Sequence, residues 1–174
     1  AIVADAVHEM ACLENAERIA WRVEDLIGGE KTLDFSRSFM PESLARVTAL
    51  DFLTKREQRL LNQIRGHAYL RIFGLVEEFI LPFVLDHVRT VLNGEDYRVR
   101  AYLEFAGEEA KHIQLFRRFA EAFDQGFGTP CEMIGPADAI AKHVLGHHPL
   151  SVALAILHIE WMTQRHFVDS VRDN

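Results

Sequence analysis

The chain has 174 residues, 49% of them hydrophobic, a length and composition that suit one domain with a sizeable core. Its 19 basic and 26 acidic residues give a formal charge of −7, which argues against nucleic acid or an anionic membrane as the main partner. Cys12 and Cys131 form no CxxC pair, and neither a signal-like start nor a run of about 20 apolar residues occurs, so the sequence predicts a soluble cytoplasmic protein.

The first predicted element is one helix over residues 3–27, where apolar residues recur at steps of three and four positions. Gly28 and Gly29 follow and are expected to stop it. Residues 30–43 are polar and interrupted by Pro41, which is typical of a surface connection, and a short helical piece is predicted near residues 42–50. Residues 1–53 are therefore assigned to an N-terminal helix and its connection.

A long helix is predicted to begin at Thr54. The segment Thr54-Lys-Arg-Glu57 is a capping box, in which the side chains at the first and fourth positions bond each other's backbone amides. The next stop signal is Asn93-Gly94, so the helix extends over some 38 residues, roughly 57 Å. Pro82 lies inside it and predicts a kink, because proline removes one backbone hydrogen bond and crowds the preceding turn.

The centre of this helix is apolar on nearly all sides, yet it contains Glu77 and Glu78. At about 100° per residue, Glu77 shares a face with Leu70 and Ile80, whereas Glu78 lies nearer Arg71. The phase favours Glu77 as the buried carboxylate, although Glu78 stays open as the alternative.

The connection over residues 93–96 is expected to return the chain antiparallel into a second long helix that ends around Gly126 and Gly128. This helix carries a Glu-x-x-His pair, Glu109 and His112, and the phase places Glu108 at the edge of the same face. One face gathers aromatic residues around the pair: Tyr102, Phe105, Glu109, His112, Phe116, Phe119 and Phe123. A carboxylate at the centre of such a stripe costs several kcal/mol unless a cation or another partner compensates it.

A long connection between residues 127 and 149 follows, with a short helical piece opened by Pro136. The last helix is predicted to begin near Pro149, because proline is tolerated at the first helical position. Thr163 and Gln164 flank its central carboxylate, Glu160. Its predicted inward face contains Ala153, Ile156, Glu160, Phe167 and Val171.

Three long helices thus each place a carboxylate near the middle of an apolar face, and the sequence resembles the ferritin-like superfamily of di-iron and di-manganese carboxylate proteins. That family has Glu on a first helix, Glu-x-x-His on a second, Glu on a third and Glu-x-x-His on a fourth. The resemblance covers residues 54–174 and implies an all-α, ferritin-like helical bundle with one long crossover, to which the N-terminal helix is added. A fourth helix with a second Glu-x-x-His is absent from the sequence, so we expect an exposed apolar groove that is covered by self-association or by further polypeptide.

The resemblance implies two bound Fe ions, or Mn, with the metal ligands Glu77, Glu109, His112 and Glu160, Glu109 being the carboxylate that bridges both ions. It further implies an O2-activating oxidase or oxygenase that acts on a small organic substrate, with an external electron donor, as a homo-oligomer without nucleic-acid or membrane partners. Two alternatives stay open: a ferroxidase whose substrate is Fe(II), and a metal-free helical interaction protein in which the same groups form a buried polar network. Three other histidines are expected at the core edge or the surface rather than as ligands: His67, His87 and His166.

Overall fold

The computed structural model describes residues 2–93, 96–131 and 135–172. Over these ranges the chain is helical, apart from connections and an isolated bridge between Gly28 and Lys31, which confirms the all-α prediction for the described residues. None of the helices within them is both long enough and apolar enough to cross a membrane. The elements are α1 (Ile2–Arg18), α2 (Val23–Leu26), α3 (Glu42–Ala45), α4 (Lys55–Val91), α5 (Asp96–Phe127), α6 (Ala137–Leu145), α7 (Pro149–His166) and a π-helical segment (Phe167–Val171).

Helix α4 begins with the predicted capping box. The amide of Thr54 donates to Glu57 Oε2 at 2.8 Å, and the amide of Glu57 donates to Thr54 Oγ1 at 3.3 Å. Both bonds satisfy amides that the first turn of a helix leaves unpaired. The helix continues through Pro82 to Val91, as its length in the sequence predicts; the kink at Pro82 stays a prediction.

Helices α4 and α5 pack against each other in antiparallel directions. The ring centroids of His67 and Phe123 lie 4.1 Å apart, and Glu77 Oε1 lies 3.5 Å from His112 Nδ1. Residue numbers therefore rise along α4 as they fall along α5, which confirms the predicted antiparallel return. Of the connection that makes this return, Gly94 and Glu95 lie outside the described residues.

The buried face of α5 differs from the predicted one. Phe105 is 40% exposed, whereas its neighbour Ala106 is buried, together with Glu109, Ala120 and Phe123. The separations between these positions are sums of three- and four-residue steps, the spacing that keeps one stripe of a helix against a nearly parallel or antiparallel partner. The inclusion of Phe105 in the inward face was wrong, because Ala106 faces inward at this turn, whereas Glu109 and Phe123 are buried as predicted.

The N-terminal helix is shorter than predicted. Helix α1 ends at Arg18 instead of continuing to residue 27, and Arg22 adopts an extended backbone before α2 begins. Helix propensities differ by only a few tenths of a kcal/mol per residue, so a tertiary contact overrides them easily. That contact is made by Trp21, which leaves the helix to pack on α5. Helix α1 itself contacts α5 through the 2.8 Å ion pair of Glu9 with Arg98.

Residues 32–41 form a strap that lies across the first half of α4. The buried Asn62 accepts the backbone amides of Phe39 and Met40 at 2.8 and 3.0 Å, and its own amide group donates to the Met40 carbonyl at 2.8 Å. The adjacent Gln63 donates to two further strap carbonyl groups. Side-chain amides thus satisfy backbone groups that have no regular secondary structure to pair with.

Helix α7 begins at the predicted proline and packs onto α4 and α5 through Val152 and Ile156. Phe167 and Val171, which the sequence places on the inward face, are exposed, so that part of the prediction was wrong. Both residues lie in the π-helical segment beyond α7, where the period of 3.6 residues no longer applies, whereas the predicted inward Ile156 within α7 is buried.

The outer side of α7 carries an exposed apolar stripe. Its members follow one another at helical spacing and are 57–73% exposed: Leu150, Leu154, Leu157 and Trp161. An exposed stripe on one helix is not itself a groove, so the exposed groove that the sequence predicts stays a prediction. Self-association through it stays a prediction.

Candidate metal centre

The two carboxylates at the centre of the α4/α5 interface are buried. Glu77 is 5% exposed and Glu109 is 3% exposed. Glu78, by contrast, turns to the surface and forms a 3.0 Å ion pair with Arg117. The sequence prediction that Glu77 rather than Glu78 faces inward is confirmed, as is the inward phase of Glu109.

His112 joins these carboxylates through a single ring nitrogen. Its Nδ1 lies 3.0 Å from Glu109 Oε2 and 3.5 Å from Glu77 Oε1. One ligand atom of each of the three residues lies within 4.8 Å of the other two. The second oxygen of Glu77, Oε2, is buried without a hydrogen-bond partner. Such an orphaned oxygen is costly, and a bound cation would satisfy it.

The charges in the cluster are arranged around this nitrogen. The hydrogen bonds to Glu109 and Glu77 raise the pKa of His112 to about 10, so the ring is an imidazolium at neutral pH. The pKa of Glu77 is raised to about 7: burial is the main cause, the contact with His112 opposes the rise, and the neighbouring Glu109 reinforces it. Burial also acts to raise the pKa of Glu109, but hydrogen bonds from His112 and Glu77 outweigh it, so the net shift is downward. Without a metal, protons therefore balance the carboxylates.

Glu160 lies beside the cluster rather than within it. It is half-buried on α7 and does not belong to the group of ligand atoms within 4.8 Å. Burial raises the pKa of Glu160, the negative charge of Glu109 raises it further, and the positive charge of His112 opposes both. The carboxylate is therefore close enough to interact electrostatically with the other two ligand candidates on α5. Its role as a ligand stays a prediction.

Trp21 covers the solvent-facing side of the centre. Its indole N–H donates to Glu108 Oε2 at 2.8 Å, and its ring is stacked on the His112 ring at a centroid distance of 5.7 Å. Lys111 Nζ bonds the other oxygen of Glu108 and lies 5.5 Å from the centre of the indole ring. Trp21, Lys111 and Glu108 together form an outer layer that fixes the His112 ring from outside.

This outer layer was missed by the sequence analysis. Trp21 and Glu108 are 87 positions apart, and local periodicity carries no information on contacts at that range. One signal was available: tryptophan is seldom left fully exposed, and Trp21 falls off the apolar stripe of the predicted first helix. The position of Trp21 off this stripe indicates that it packs against another part of the chain, but the sequence does not identify which part.

Comparison of the chain with protein-family models, with characterised proteins and with solved structures gave no match. Function is therefore inferred from the geometry of the centre.

Proposed function

We propose that this chain binds iron or manganese through Glu77, Glu109 and His112 and uses it for O2-dependent oxidation of a small organic molecule. The observation that carries the proposal is the convergence of two buried carboxylates and one imidazole within 4.8 Å, with Glu77 Oε2 left unpaired. The ferritin-like arrangement of the helices, and with it a dinuclear centre, is part of the same proposal.

The donor set fits a hard divalent ion. Carboxylate oxygens with one imidazole per metal suit Fe(II) and Mn(II), whereas structural zinc prefers thiolate and several imidazoles. Glu109 is the most buried of the three and interacts with both His112 and Glu77. It would be the carboxylate shared by two ions, as the ferritin-like pattern implies. Glu160, on the neighbouring helix, would supply a carboxylate ligand to the second ion.

When bound, a pair of such ions supplies the two electrons that O2 reduction requires. The chain's own residues prepare the site for it: His112 must release its Nδ1 proton and Glu77 its carboxyl proton before either can act as a ligand. Trp21 stacks on the His112 ring, and the stacked rings of Phe73 and Phe116, 6.0 Å apart, lie one helical turn from Glu77 and His112 respectively. Repeated turnover needs an external electron donor.

A second candidate function is supported by a different observation. Because protonated His112 bonds both Glu109 and Glu77, the cluster is already a balanced ionic network. In that case the trio fixes the register of α4 against α5 in a metal-free helical interaction protein. The unpaired Glu77 Oε2 favours the metal reading, since a network built only for packing would satisfy both oxygens.

Metal analysis separates the two candidates. Protein expressed without a chelating tag is analysed by mass spectrometry of its metals and titrated anaerobically with Fe(II). We expect tight binding in the wild type, its loss in Glu109→Gln, and wild-type affinity in Glu104→Gln, an exposed carboxylate on the same helix. Equal affinity in both variants, or no binding above that of a metal-free control protein, would refute the metal proposal and leave the structural network.

The substrate is tested separately from the metal. Iron-loaded protein is supplied with hydrogen peroxide and a panel of small aromatic and aliphatic compounds, and oxidised products are identified by mass spectrometry. Product formation that is lost in Glu109→Gln supports an oxidase or oxygenase. Rapid Fe(II) oxidation without any organic product would instead assign the centre to a ferroxidase.

A further inference from the structure

Four large apolar side chains form a stripe along the outer side of α7, here called the α7 stripe: Leu150, Leu154, Leu157 and Trp161. Each of them is between 57% and 73% exposed. The residues of α7 that the rest of the chain buries are Val152 and Ile156. Most of the apolar surface of this 18-residue helix therefore faces away from the chain that carries it.

The spacing of the α7 stripe is that of a seam between two helices. Its members follow one another at steps of four, three and four residues, which is the heptad repeat of a coiled coil. A helix that packs on a globular core presents a broader apolar face, whereas a strict heptad stripe is a narrow line of contact with one facing helix. The α7 stripe therefore has the shape that receives another helix.

The α7 stripe is complementary to a second copy of itself. If two α7 helices run antiparallel about a two-fold axis midway between Leu154 and Leu157, then Leu154 of one copy faces Leu157 of the other. Leu150 and Trp161 are centred on the same point of the helix, so they face each other at both ends of the contact. Antiparallel helices also bring opposite ends of their dipoles together, and an isologous contact of this kind closes with two chains.

The charges near the stripe favour an apolar partner. Between Pro149 and Met162 the sequence has one formally charged residue, Glu160, which is half-buried beside the candidate metal centre. Arg165 lies beyond the stripe and is already paired with Asp169 at 2.6 Å. A helix that binds an anionic membrane carries Lys and Arg beside its apolar face, and a charged peptide needs complementary charges on its receptor. The α7 stripe offers neither, so a second copy of the same uncharged face is the better partner.

The area of the stripe is sufficient for a dimer. With about 180 Å2 for a fully exposed leucine and about 250 Å2 for a tryptophan, the four side chains together expose roughly 500 Å2. Two facing copies would bury about 1,000 Å2 from these residues alone, which reaches the lower limit of specific interfaces. Met162, which is 42% exposed, lies at the rim and adds to this area.

We propose that the chain forms a symmetric dimer in which two α7 helices pack antiparallel through the α7 stripe. The two-fold axis passes between Leu154 and Leu157. Because α7 also carries Glu160, the contact would hold that carboxylate in place beside the Glu77–Glu109 pair. The inference does not rest on the metal proposal, since the stripe and its spacing are independent of any bound ion.

The first test is the mass of the full chain in solution. Sedimentation equilibrium of EDTA-treated protein, from about 1 to about 200 µM, should reach twice the chain mass of 19.9 kDa. Leu154→Glu and Leu157→Glu should each weaken dimerisation at least about a hundredfold, because the two-fold axis places every substitution in the interface twice. Leu26→Glu, at a 53% exposed leucine on α2, is the matched control and should dimerise as the wild type does. Far-UV circular dichroism should show the same helix content in all three variants, since the replaced side chains are exposed.

The second test establishes the direction of the two helices. In a background with Cys12→Ser and Cys131→Ser, Leu154→Cys and Leu157→Cys are introduced on separate chains. A disulfide needs two Cα atoms within about 7 Å, so under mild oxidation a mixture of the two chains should form covalent dimers severalfold faster than either chain alone.

Three results would overturn the proposal. They are a monomer at every concentration, whether or not it binds anionic vesicles, a dimer that both glutamate variants retain, and faster crosslinking of each cysteine chain with itself than with the other. Because the masses are measured without metal, failure of the metal centre and failure of this interface are distinguishable.

Discussion

Replacement of Glu77 by glutamine should stabilise the metal-free protein at alkaline pH. Burial raises the pKa of this carboxyl from 4.5 to about 7, so the folded state binds its proton more tightly than the unfolded state does. Stability is therefore lost as the pH rises from 4.5 through 7, because the buried group must ionise in the folded protein. At about 1.4 kcal/mol per pKa unit, the full penalty is about 3 kcal/mol above pH 8. The glutamine side chain does not ionise, and its amide group can still donate a hydrogen bond to Glu109.

The assay is urea unfolding of EDTA-treated protein, followed by far-UV circular dichroism at pH 5 and pH 8.5. We expect Glu77→Gln to exceed the wild-type free energy of unfolding by about 3 kcal/mol at pH 8.5 and by less than about 1 kcal/mol at pH 5. Glu78→Gln is the matched control, since that side chain is paired at the surface, and should change stability by less than about 0.5 kcal/mol at either pH. A Glu77→Gln variant no more stable than the wild type at pH 8.5 would show that ionisation of this carboxyl group does not destabilise the folded protein.

Three further outcomes are expected. Apparent Fe(II) affinity, measured in competition titrations, should rise at least about tenfold per pH unit between pH 6 and 8. The reason is that His112 and Glu77 must release protons before the metal binds. An affinity that does not change with pH would exclude both residues as ligands. Gly107→Ala should raise the free energy of unfolding by roughly 0.5–1 kcal/mol, since its Cβ meets open space, whereas Gly74→Ala should gain about 1 kcal/mol less because its Cβ would lie 3.3 Å from Phe116 Cβ on α5. Equal gains in thermal or urea unfolding would contradict the close packing. Asn62→Ala should lower the free energy of unfolding by roughly 3 kcal/mol, because it leaves the strap amides without an acceptor; a loss below about 1 kcal/mol in urea unfolding would show that water replaces it.

The features that the sequence predicts correctly depend on local pattern. A capping box and a long apolar repeat define α4, and helical phase alone selects Glu77 and Glu109 as the buried carboxylates. The features it does not predict depend on contacts between distant positions. Trp21 leaves its helix for a partner on α5, and Asn62 binds backbone groups of a strap that has no repeating pattern. The inward positions Phe167 and Val171 failed for another reason: they lie in the π-helical segment, whose period differs from the 3.6 residues assumed for the phase.

The shared contact of both carboxylates with one nitrogen of His112 also bears on the order in which folding and binding of the proposed metal would occur. Sites that need a metal in order to fold have nothing else to hold their ligands together, and they unfold when a chelator removes the ion. In this chain the imidazolium proton already draws Glu77 and Glu109 inward. The helices can therefore assemble without a metal. The proposed ion would then replace these protons, and its removal by a chelator would leave a folded, protonated form.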